Sequence, residues 1–168
     1  IAVGETPVDR TLAVAPPPAA PQAEPRPQPA APSAPPAAVD PGFAQARDLA
    51  ELRAKLESFD GCLLRRTATR TVFGNGPEHA RLMVIGEAPG ADEDRSGIPF
   101  VGRAGQLLDK MLDSIGWPRE AVFVTNVVPW RPPGNRNPTP EEVTLCLPFV
   151  LRAIELVAPQ ALLLLGAS

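Results

Sequence analysis

The chain has 168 residues, a formal net charge of −3 and a hydrophobic content of 44%. Residues 1–42 hold 12 of its 23 prolines, with alanine filling most gaps, so we predict a disordered Pro/Ala-rich tail or linker there and a folded domain over 43–168. No apolar run is long enough to span a bilayer, no secretory signal is present, and two cysteines suit a reducing compartment, so we expect a cytoplasmic protein.

The first predicted element is a helix over Phe43–Phe59, in which leucines recur at helical spacing, and Asp60-Gly61 ends it. The segment Cys62–Arg70 that follows is rich in arginine. Because the net charge of residues 43–168 is near neutral, a basic surface for nucleic acid would have to be local. This segment is either such a surface or an ordinary solvated one.

Strands and helices alternate in the remaining chain. The predicted strands are Ala80–Ile85, Ala121–Thr125 and Gln160–Leu165. Between the first two strands we predict a helix over Ala104–Ile115, whose apolar stripe we assign to the core. Between the second and third strands we predict a helix from a Thr139 cap to about Val157, and Pro148 should kink or split it. This alternation predicts a parallel sheet with helices packed on its faces.

A tight turn, Gly86–Gly90, follows the first predicted strand and carries Glu87. Open parallel sheets bind ligands outside the carboxyl ends of their strands, so we predict that this carboxylate faces a cleft. Asp92, Glu93 and Asp94 follow within what we predict to be one short loop. For Asp92 and Asp94 we favour a solvated acidic loop that caps the next helix.

Four other side chains suit ligand binding. Phe100 lies in a glycine-flanked loop, where it is either core or a platform that stacks on a flat ring. Asn126 ends the second predicted strand, and its amide could cap the strand or pair with a nucleobase edge. Arg131 and Arg136 lie in a rigid Pro/Gly-rich loop and suit phosphate oxygens, with plain solvation as the alternative.

Several common sites are excluded. The turn Gly86–Gly90 is not a dinucleotide fingerprint, because its glycine spacing differs and a proline intervenes. It is not a phosphate-binding P-loop either, since no Gly-Lys-Ser/Thr follows. Cys62 and Cys146 cannot by themselves complete a four-ligand metal site. We assign the lone His79 to the surface.

Four segments together resemble the family-four uracil-DNA glycosylases: Gly86–Asp94, Gly97–Asp109, Thr125–Val128 and Arg131–Glu142. The resemblance extends over roughly residues 62–166. It implies a three-layer α/β/α fold around a four-stranded parallel sheet. It also implies hydrolysis of the N-glycosidic bond of a uracil flipped out of DNA, the first step of base excision repair. The expected partner is uracil-containing DNA, with no membrane, and we expect a monomer.

The same resemblance assigns roles to individual residues. Glu87 and Glu93 would be catalytic, with Glu87 placing or activating the attacking water and Glu93 matching a second acidic position. Phe100 would stack on the uracil ring, and Asn126 would hydrogen-bond its edge and so help reject cytosine. The turn would contact the base or the water at Gly86, Ala88, Pro89 and Gly90. DNA binding is assigned to Arg131 and Arg136.

The chain departs from the family pattern at the family's usual [4Fe-4S] cluster, which four cysteines hold. Cys62 and Cys146 match the second and fourth ligand positions, but Phe59 and Trp130 stand at the first and third. Because two large apolar aromatics replace two ligands, we predict that no cluster forms and that no cofactor is needed. Phe59 and Trp130 would fill the space by packing, as in a cluster-less branch of the family.

A second departure lies at the C-terminus. The family carries a late His-Pro-containing motif that stabilises the departing uracil anion, and this chain has none. The chain also stops just after a predicted strand. We therefore expect C-terminal structure to be missing, the full-length protein to be an active enzyme, and this truncated chain to be inactive or very slow.

Other functions compete with the enzyme. The main alternative is a non-catalytic module of the same superfamily that binds uracil or single-stranded DNA; loss of Glu87 or Asn126 would have favoured it, and both are present. A covalent uracil-DNA-binding branch carries a basic, His-containing insertion after the Phe loop, whereas here Gly102–Gly105 continues directly into a helix. A nucleotide-binding domain is disfavoured because there is no phosphate loop.

Overall fold

A computed structural model describes residues 42–166, so the predicted tail over 1–42 lies outside the described residues except for Gly42. The β-strands are β1 (Leu82–Gly86), β2 (Val122–Asn126) and β3 (Ala161–Leu164). The α-helices are α1 (Leu49–Ser58), α2 (Leu64–Thr67), α3 (Ala91–Ser96), α4 (Arg103–Ser114) and α5 (Pro140–Val157). Short 3-10 turns occur at Phe43–Gln45, Arg119–Ala121 and Pro133–Asn135.

The strands form a parallel sheet in the order β2-β1-β3, with β1 in the centre. Its register pairs Met83 with Phe123 and Gly86 with Asn126. The predicted α/β fold with a parallel sheet is therefore confirmed, and the described residues contain three of the four expected strands. Within residues 42–166, β3 is exposed along its whole length.

Strands β1 and β2 are buried because helices cover both faces of the sheet there. Met83 and Ile85 of β1 pack into the larger core with α1 and α5, while Val84 points to the other face. There it meets Leu108 and Leu112 of α4. Alternate residues of a strand point to opposite faces, so β1 joins two cores and the architecture is three-layered.

The N-terminal helix is shorter than predicted. Instead of one helix over Phe43–Phe59, a 3-10 turn is followed by extended backbone at Ala46 and then by α1. The carboxylate of Asp48 accepts a hydrogen bond of 2.7 Å from the backbone N–H of Glu51. This N-cap satisfies a free amide of the first turn and starts the helix at Leu49.

Helix α5 begins as predicted but is not split. Thr139 Oγ1 accepts from the Glu142 N–H, and a Glu142 carboxylate oxygen accepts from the Thr139 N–H, which confirms the capping box. The helix continues through Pro148 to Val157, so of the two predicted effects of this proline the split is wrong, and the kink stays a prediction. Pro148 removes only one backbone donor, and the adjacent Phe149 is fully buried and anchors the helix in the core.

The prediction that Asp92 and Asp94 lie in a solvated acidic loop holds only for the exposure of Asp92. Both residues lie in helix α3 rather than in a loop, and Asp92 is exposed as predicted. Asp94 is only 4% exposed, and its carboxylate accepts hydrogen bonds from the backbone N–H groups of Thr69 and Arg70 rather than capping the next helix. Negative charge near the N-terminus of a helix is favourable, which suits these acidic residues in the first turn of α3. The hydrogen-bond partners of Asp94 lie about 25 residues earlier in the chain, so the local sequence pattern could not reveal them.

The apolar stripe of α4 is only partly core. Leu108 and Leu112 are buried against the sheet as predicted. Leu107, Met111 and Ile115 are about 60% exposed or more, because they lie on a neighbouring face that the described residues do not cover. The stripe is therefore wider than the strip of sheet beneath it.

Candidate active site at the carboxyl edge of the sheet

The site lies where neighbouring strands send the chain to opposite faces. After β1 the chain enters α4, which packs on one face, and after β2 it enters α5, which packs on the other. Such a reversal opens a crevice outside the carboxyl ends of the two strands, where open α/β sheets bind ligands. A cavity of about 880 Å³ lies here, and it continues along the exposed face of α4.

The cavity brings together most of the residues predicted from sequence. Its lining includes Gly86, Glu87, Ala88, Pro89, Gly90, Glu93, Phe100 and Asn126. These residues come from the end of β1, the following turn, α3, the loop before α4 and the end of β2. Their geometric grouping is clear, and their individual roles stay predictions.

Gly86 allows a ring and an amide to meet at the pocket floor. Gly86 and Asn126 are register partners at the ends of β1 and β2. A Cβ on Gly86 would overlap Asn126 Oδ1 and lie 2.5 Å from Cζ of Phe100. A side chain at this position would therefore push the ring and the amide apart, and glycine permits their close approach.

Phe100 is held in an uncommon backbone conformation. Its φ is 57°, in the left-handed region that non-glycine residues rarely adopt. Gly105 in the first turn of α4 packs closely against the carbonyl group of Phe100, so close that a Cβ at residue 105 would overlap the carbonyl oxygen. Arg119 donates to the carbonyl oxygen of Pro99 at 3.1 Å and lies 3.5 Å from Asp109, so the peptide before Phe100 is also anchored.

Asn126 is buried without a polar partner. It is 2% exposed, it lines the cavity, and its side-chain amide makes no hydrogen bond to any residue in the described part of the chain. The amide faces the cavity, where a ligand edge with complementary donor and acceptor atoms can pair with it.

The two predicted catalytic carboxylates are placed differently. Among residues 42–166, Glu87 has no hydrogen-bond or ion-pair partner for its side chain, and it lines the cavity close to Gly166. Glu93 accepts from the backbone N–H of Gly90 at 3.0 Å and from that of Gly102 at 2.8 Å. Glu93 thus ties the turn after β1 to the loop before α4, whereas Glu87 is available to a substrate.

The two predicted DNA-binding arginines lie beside the cavity rather than in its lining. Arg131 donates to Asn135 Oδ1 at 2.7 Å, and Asn135 does line the cavity, which the sequence did not single out. Arg136 forms a bidentate pair with Glu142, at 2.8 and 2.7 Å. This hydrogen bonding lowers the pKa of Glu142 and raises that of Arg136.

Comparison with known proteins agrees with this geometry. The family model described as the uracil DNA glycosylase superfamily matches residues 73–168. The chain belongs to this superfamily.

Within the superfamily, the chain is similar to several type-4 uracil-DNA glycosylases. The chain is 48% identical over 118 residues to the type-4 uracil-DNA glycosylase of Archaeoglobus fulgidus, which is 70% of this chain and 59% of that protein. It is 44% identical over 119 residues to the type-4 enzyme of Pyrobaculum aerophilum, covering 71% of this chain and 61% of the relative. The type-4 enzyme of Thermotoga maritima is 44% identical over 114 residues, 68% of this chain and 59% of the relative. The chain thus spans about three fifths of the length of these proteins.

Two thiols and two aromatic rings stand at the four positions where the resemblance implies cluster ligands. Cys62 and Cys146 are free and buried, and the Cys146 thiol hydrogen-bonds to Cys62. That bond lowers the pKa of Cys62 to about 7 and raises the pKa of Cys146. Phe59 stacks on Trp130, with ring centroids 6.2 Å apart and planes 28° apart.

The surroundings of these rings are closely packed. Trp130 is 1% exposed, and its Nε1 donates to Thr71 Oγ1 at 3.1 Å. The ring of Phe43 meets that of Phe59 edge-on at 5.4 Å. No group of three or more His, Cys, Asp or Glu side chains that could hold a metal occurs among residues 42–166. The residues present therefore do not fit an iron–sulfur cluster with four cysteine ligands.

A membrane-spanning helix was also sought. Over residues 42–166, no helix combines the length and the apolar character needed to cross a bilayer.

Proposed function

We propose that the protein is a uracil-DNA glycosylase that hydrolyses the N-glycosidic bond of a flipped-out uracil. The observation that carries this proposal is the unpartnered amide of Asn126, which lines the cavity together with the Phe100 ring beside Gly86. A pyrimidine in this cavity would stack on Phe100 and pair its edge with the amide. The relatives named type-4 uracil-DNA glycosylases support the same substrate.

The chain's own groups suggest a division of labour. Phe100 and Asn126 bind and orient the base, and the turn after β1 packs against it. Glu87, whose side chain lacks a partner among the described residues, holds the attacking water and accepts its proton as the bond to the sugar breaks. Glu93 keeps the two pocket loops together through backbone amides.

Discrimination against cytosine follows from the pairing edge. Uracil presents an acceptor at the position where cytosine presents a donor, so one amide orientation cannot satisfy both. Because Asn126 is buried, the wrong base would leave polar groups unpaired, which is the strongest source of selectivity. We further propose that the protein acts on DNA as a monomer in the cytoplasm, where the thiols of Cys62 and Cys146 stay reduced.

The activity is tested on oligonucleotides that contain one uracil, both single-stranded and paired, with the full-length protein. Alkali-labile cleavage at the uracil is expected, and Glu87→Gln and Asn126→Ala should each reduce its rate at least about a hundredfold, as for other groups that act directly on the reaction. Exposed residues of the same types provide matched controls, namely Glu78→Gln and Asn137→Ala, which should cleave at the wild-type rate.

The outcomes separate the two candidate functions. Tight binding of uracil-containing DNA without cleavage would replace the enzyme by the binding module. Cleavage that is unaffected by both pocket variants would contradict the roles assigned to Glu87 and Asn126.

We also propose that the protein works without an iron–sulfur cluster. The stacked rings of Phe59 and Trp130 support this, because they stand where the resemblance would require two cysteines and are packed by Phe43 and Thr71. Purified protein should contain no stoichiometric iron and no broad absorbance near 400 nm. A brown, iron-containing preparation would contradict the proposal. The Phe59→Cys/Trp130→Cys variant, reconstituted anaerobically, is the positive comparison.

A further inference from the structure

A basic strap, residues 65–71, lies beside the pocket and has no part in the proposed reaction. Arg65, Arg66 and Arg70 are exposed on it. Together with Trp130 they line a cleft of about 240 Å³, separate from the uracil pocket. The sequence left two interpretations of this segment open, a solvated surface and a nucleic-acid contact.

The guanidinium groups of the strap are not neutralised within the described chain. No carboxylate of residues 42–166 forms an ion pair with Arg65, Arg66 or Arg70. Arg65 donates only to the backbone carbonyl of Glu57. Arg136 offers a contrast, because Glu142 pairs with it from two oxygens. The strap therefore carries positive charge that is available to an anion.

The strap is fixed at two places, to helix α3, which borders the pocket, and to Trp130 in the loop after β2. Asp94 of α3 accepts from Thr69 N at 2.8 Å, from Thr69 Oγ1 at 3.0 Å and from Arg70 N at 3.2 Å. At the other end, Trp130 donates to Thr71 Oγ1 at 3.1 Å. The strap is thus held in place before any ligand binds, which reduces the entropy lost on binding.

Helix α3 limits the distance between the strap and the pocket. Glu93 lines the pocket and the adjacent Asp94 holds the strap, so both lie against the same short helix. A helix with its side chains is roughly 10–12 Å across. Each strand of duplex DNA advances about 3.4 Å per nucleotide. The strap is therefore within about three nucleotides of the pocket.

We propose that the strap binds backbone phosphates of the DNA within about three nucleotides of the uracil. This inference rests on the proposed function, since it takes the pocket as the place of the flipped base. Guanidinium groups bind phosphate oxygens through paired, charge-assisted hydrogen bonds. Such contacts position the DNA without reading its sequence. The strap would hold the duplex while α3, tied to the same strap, holds the pocket loops.

The test measures DNA affinity against salt concentration for the full-length protein and its variants Arg66→Gln, Arg70→Gln and the double variant. Glutamine keeps most of the aliphatic stem, including the part of Arg70 that packs beside Gly97. Each single variant should lower the slope of log affinity against log salt by about 0.9, and the double variant by about 1.8. The loss should be equal for uracil-containing and undamaged duplexes, and the cleavage rate at saturating DNA should not change.

A matched control removes one charge at the opposite edge of the sheet. Arg81 is exposed and precedes β1, so Arg81→Gln should leave the slope unchanged. Wild-type slopes in the strap variants would overturn the inference, and so would an equal slope change in Arg81→Gln, which would mean a bulk charge effect. Cleavage of uracil-containing DNA with wild-type slopes in all variants would support the proposed function and contradict the role of the strap. DNA binding with the predicted slopes but without cleavage would support the strap as a DNA contact and contradict the glycosylase activity.

The position of the strap gives a second, geometric readout. With the uracil in the middle of an oligonucleotide, the double variant should lower kcat/KM. With the uracil as the last nucleotide at one particular end, the phosphates that reach the strap are absent, and wild type and double variant should cleave equally. An equal defect of the double variant at every uracil position would contradict a phosphate contact beside the pocket.

Discussion

The different surroundings of Glu87 and Glu93 lead to opposite expectations for two isosteric changes. Glu93→Gln replaces an acceptor of two backbone amides, those of Gly90 and Gly102, by a group with one acceptor and one donor. Glu87→Gln changes a side chain that has no partner within residues 42–166, so no bond that supports the described fold is lost. We therefore expect Glu93→Gln to act on stability and Glu87→Gln to act on the reaction.

The magnitude for Glu93→Gln follows from the two bonds. One amide would face the glutamine N–H₂ group, and leaving such a donor unsatisfied costs about 1–3 kcal/mol. The remaining bond would change from a charge-assisted bond to a neutral one, which weakens it further. A loss of about 2 kcal/mol corresponds to a fall in Tm of roughly 5–10 °C for a domain of this size. Glu87→Gln should leave Tm within about 1 °C, as is usual for surface changes without partners.

Thermal unfolding and single-turnover cleavage of a uracil oligonucleotide should be measured on both variants. Glu87→Gln is expected to keep wild-type Tm and lose most of its cleavage rate. Glu93→Gln is expected to unfold earlier and, well below its Tm, to retain a larger share of the rate. The reverse pattern, with an unchanged Tm and abolished cleavage in Glu93→Gln, would refute the reasoning and make Glu93 a catalytic residue.

Two further predictions follow from close contacts. Gly86→Ala would add a methyl group against the Phe100 ring; overpacking of about 1–3 kcal/mol should lower kcat/KM about tenfold or more, and a wild-type value would show that the ring has room to move. The Arg136 partner lowers the pKa of Glu142 below its ordinary 4.5, so this pair contributes stability above that pH and loses it as pH falls through the lowered pKa. Arg136→Gln should raise the pKa of Glu142 and move the acid-induced loss of Tm to higher pH, measured by thermal unfolding from pH 7 to pH 3; an unchanged pH profile would mean that the pair does not stabilise the start of α5.

Local patterns predicted the elements that set the fold. β1, β2 and β3 each lie within two residues of their predicted starts and one of their predicted ends, because short apolar runs bounded by turns are strong strand signals. The Thr139 cap of α5 is confirmed by its two hydrogen bonds. Both bonds join residues three apart in the chain, which is why the sequence predicted them. Interactions of this range can be read directly from spacing.

Long-range contacts explain what the sequence analysis missed. The buried state of Asp94 depends on Thr69 and Arg70, which lie on a separate segment of the chain. Asn135 reaches the cavity through a loop whose conformation, with a φ of 56° at that residue, no periodicity describes. The exposed half of the α4 stripe could not be distinguished from the buried half, since both halves have the same helical spacing.

The sequence by itself determined the alternation of β1, α4, β2, α5 and β3 along the chain, the family resemblance and the set of residues that could form a uracil pocket. Only the tertiary structure decided which partners those residues have. Parallel pairing sets Gly86 beside Asn126, and the glycine lets Phe100 close on them. Backbone amides occupy Glu93, and Asp94 holds the basic strap. The reason is physical: a side chain's role depends on which partners satisfy it, and here those partners come from segments that only folding brings together.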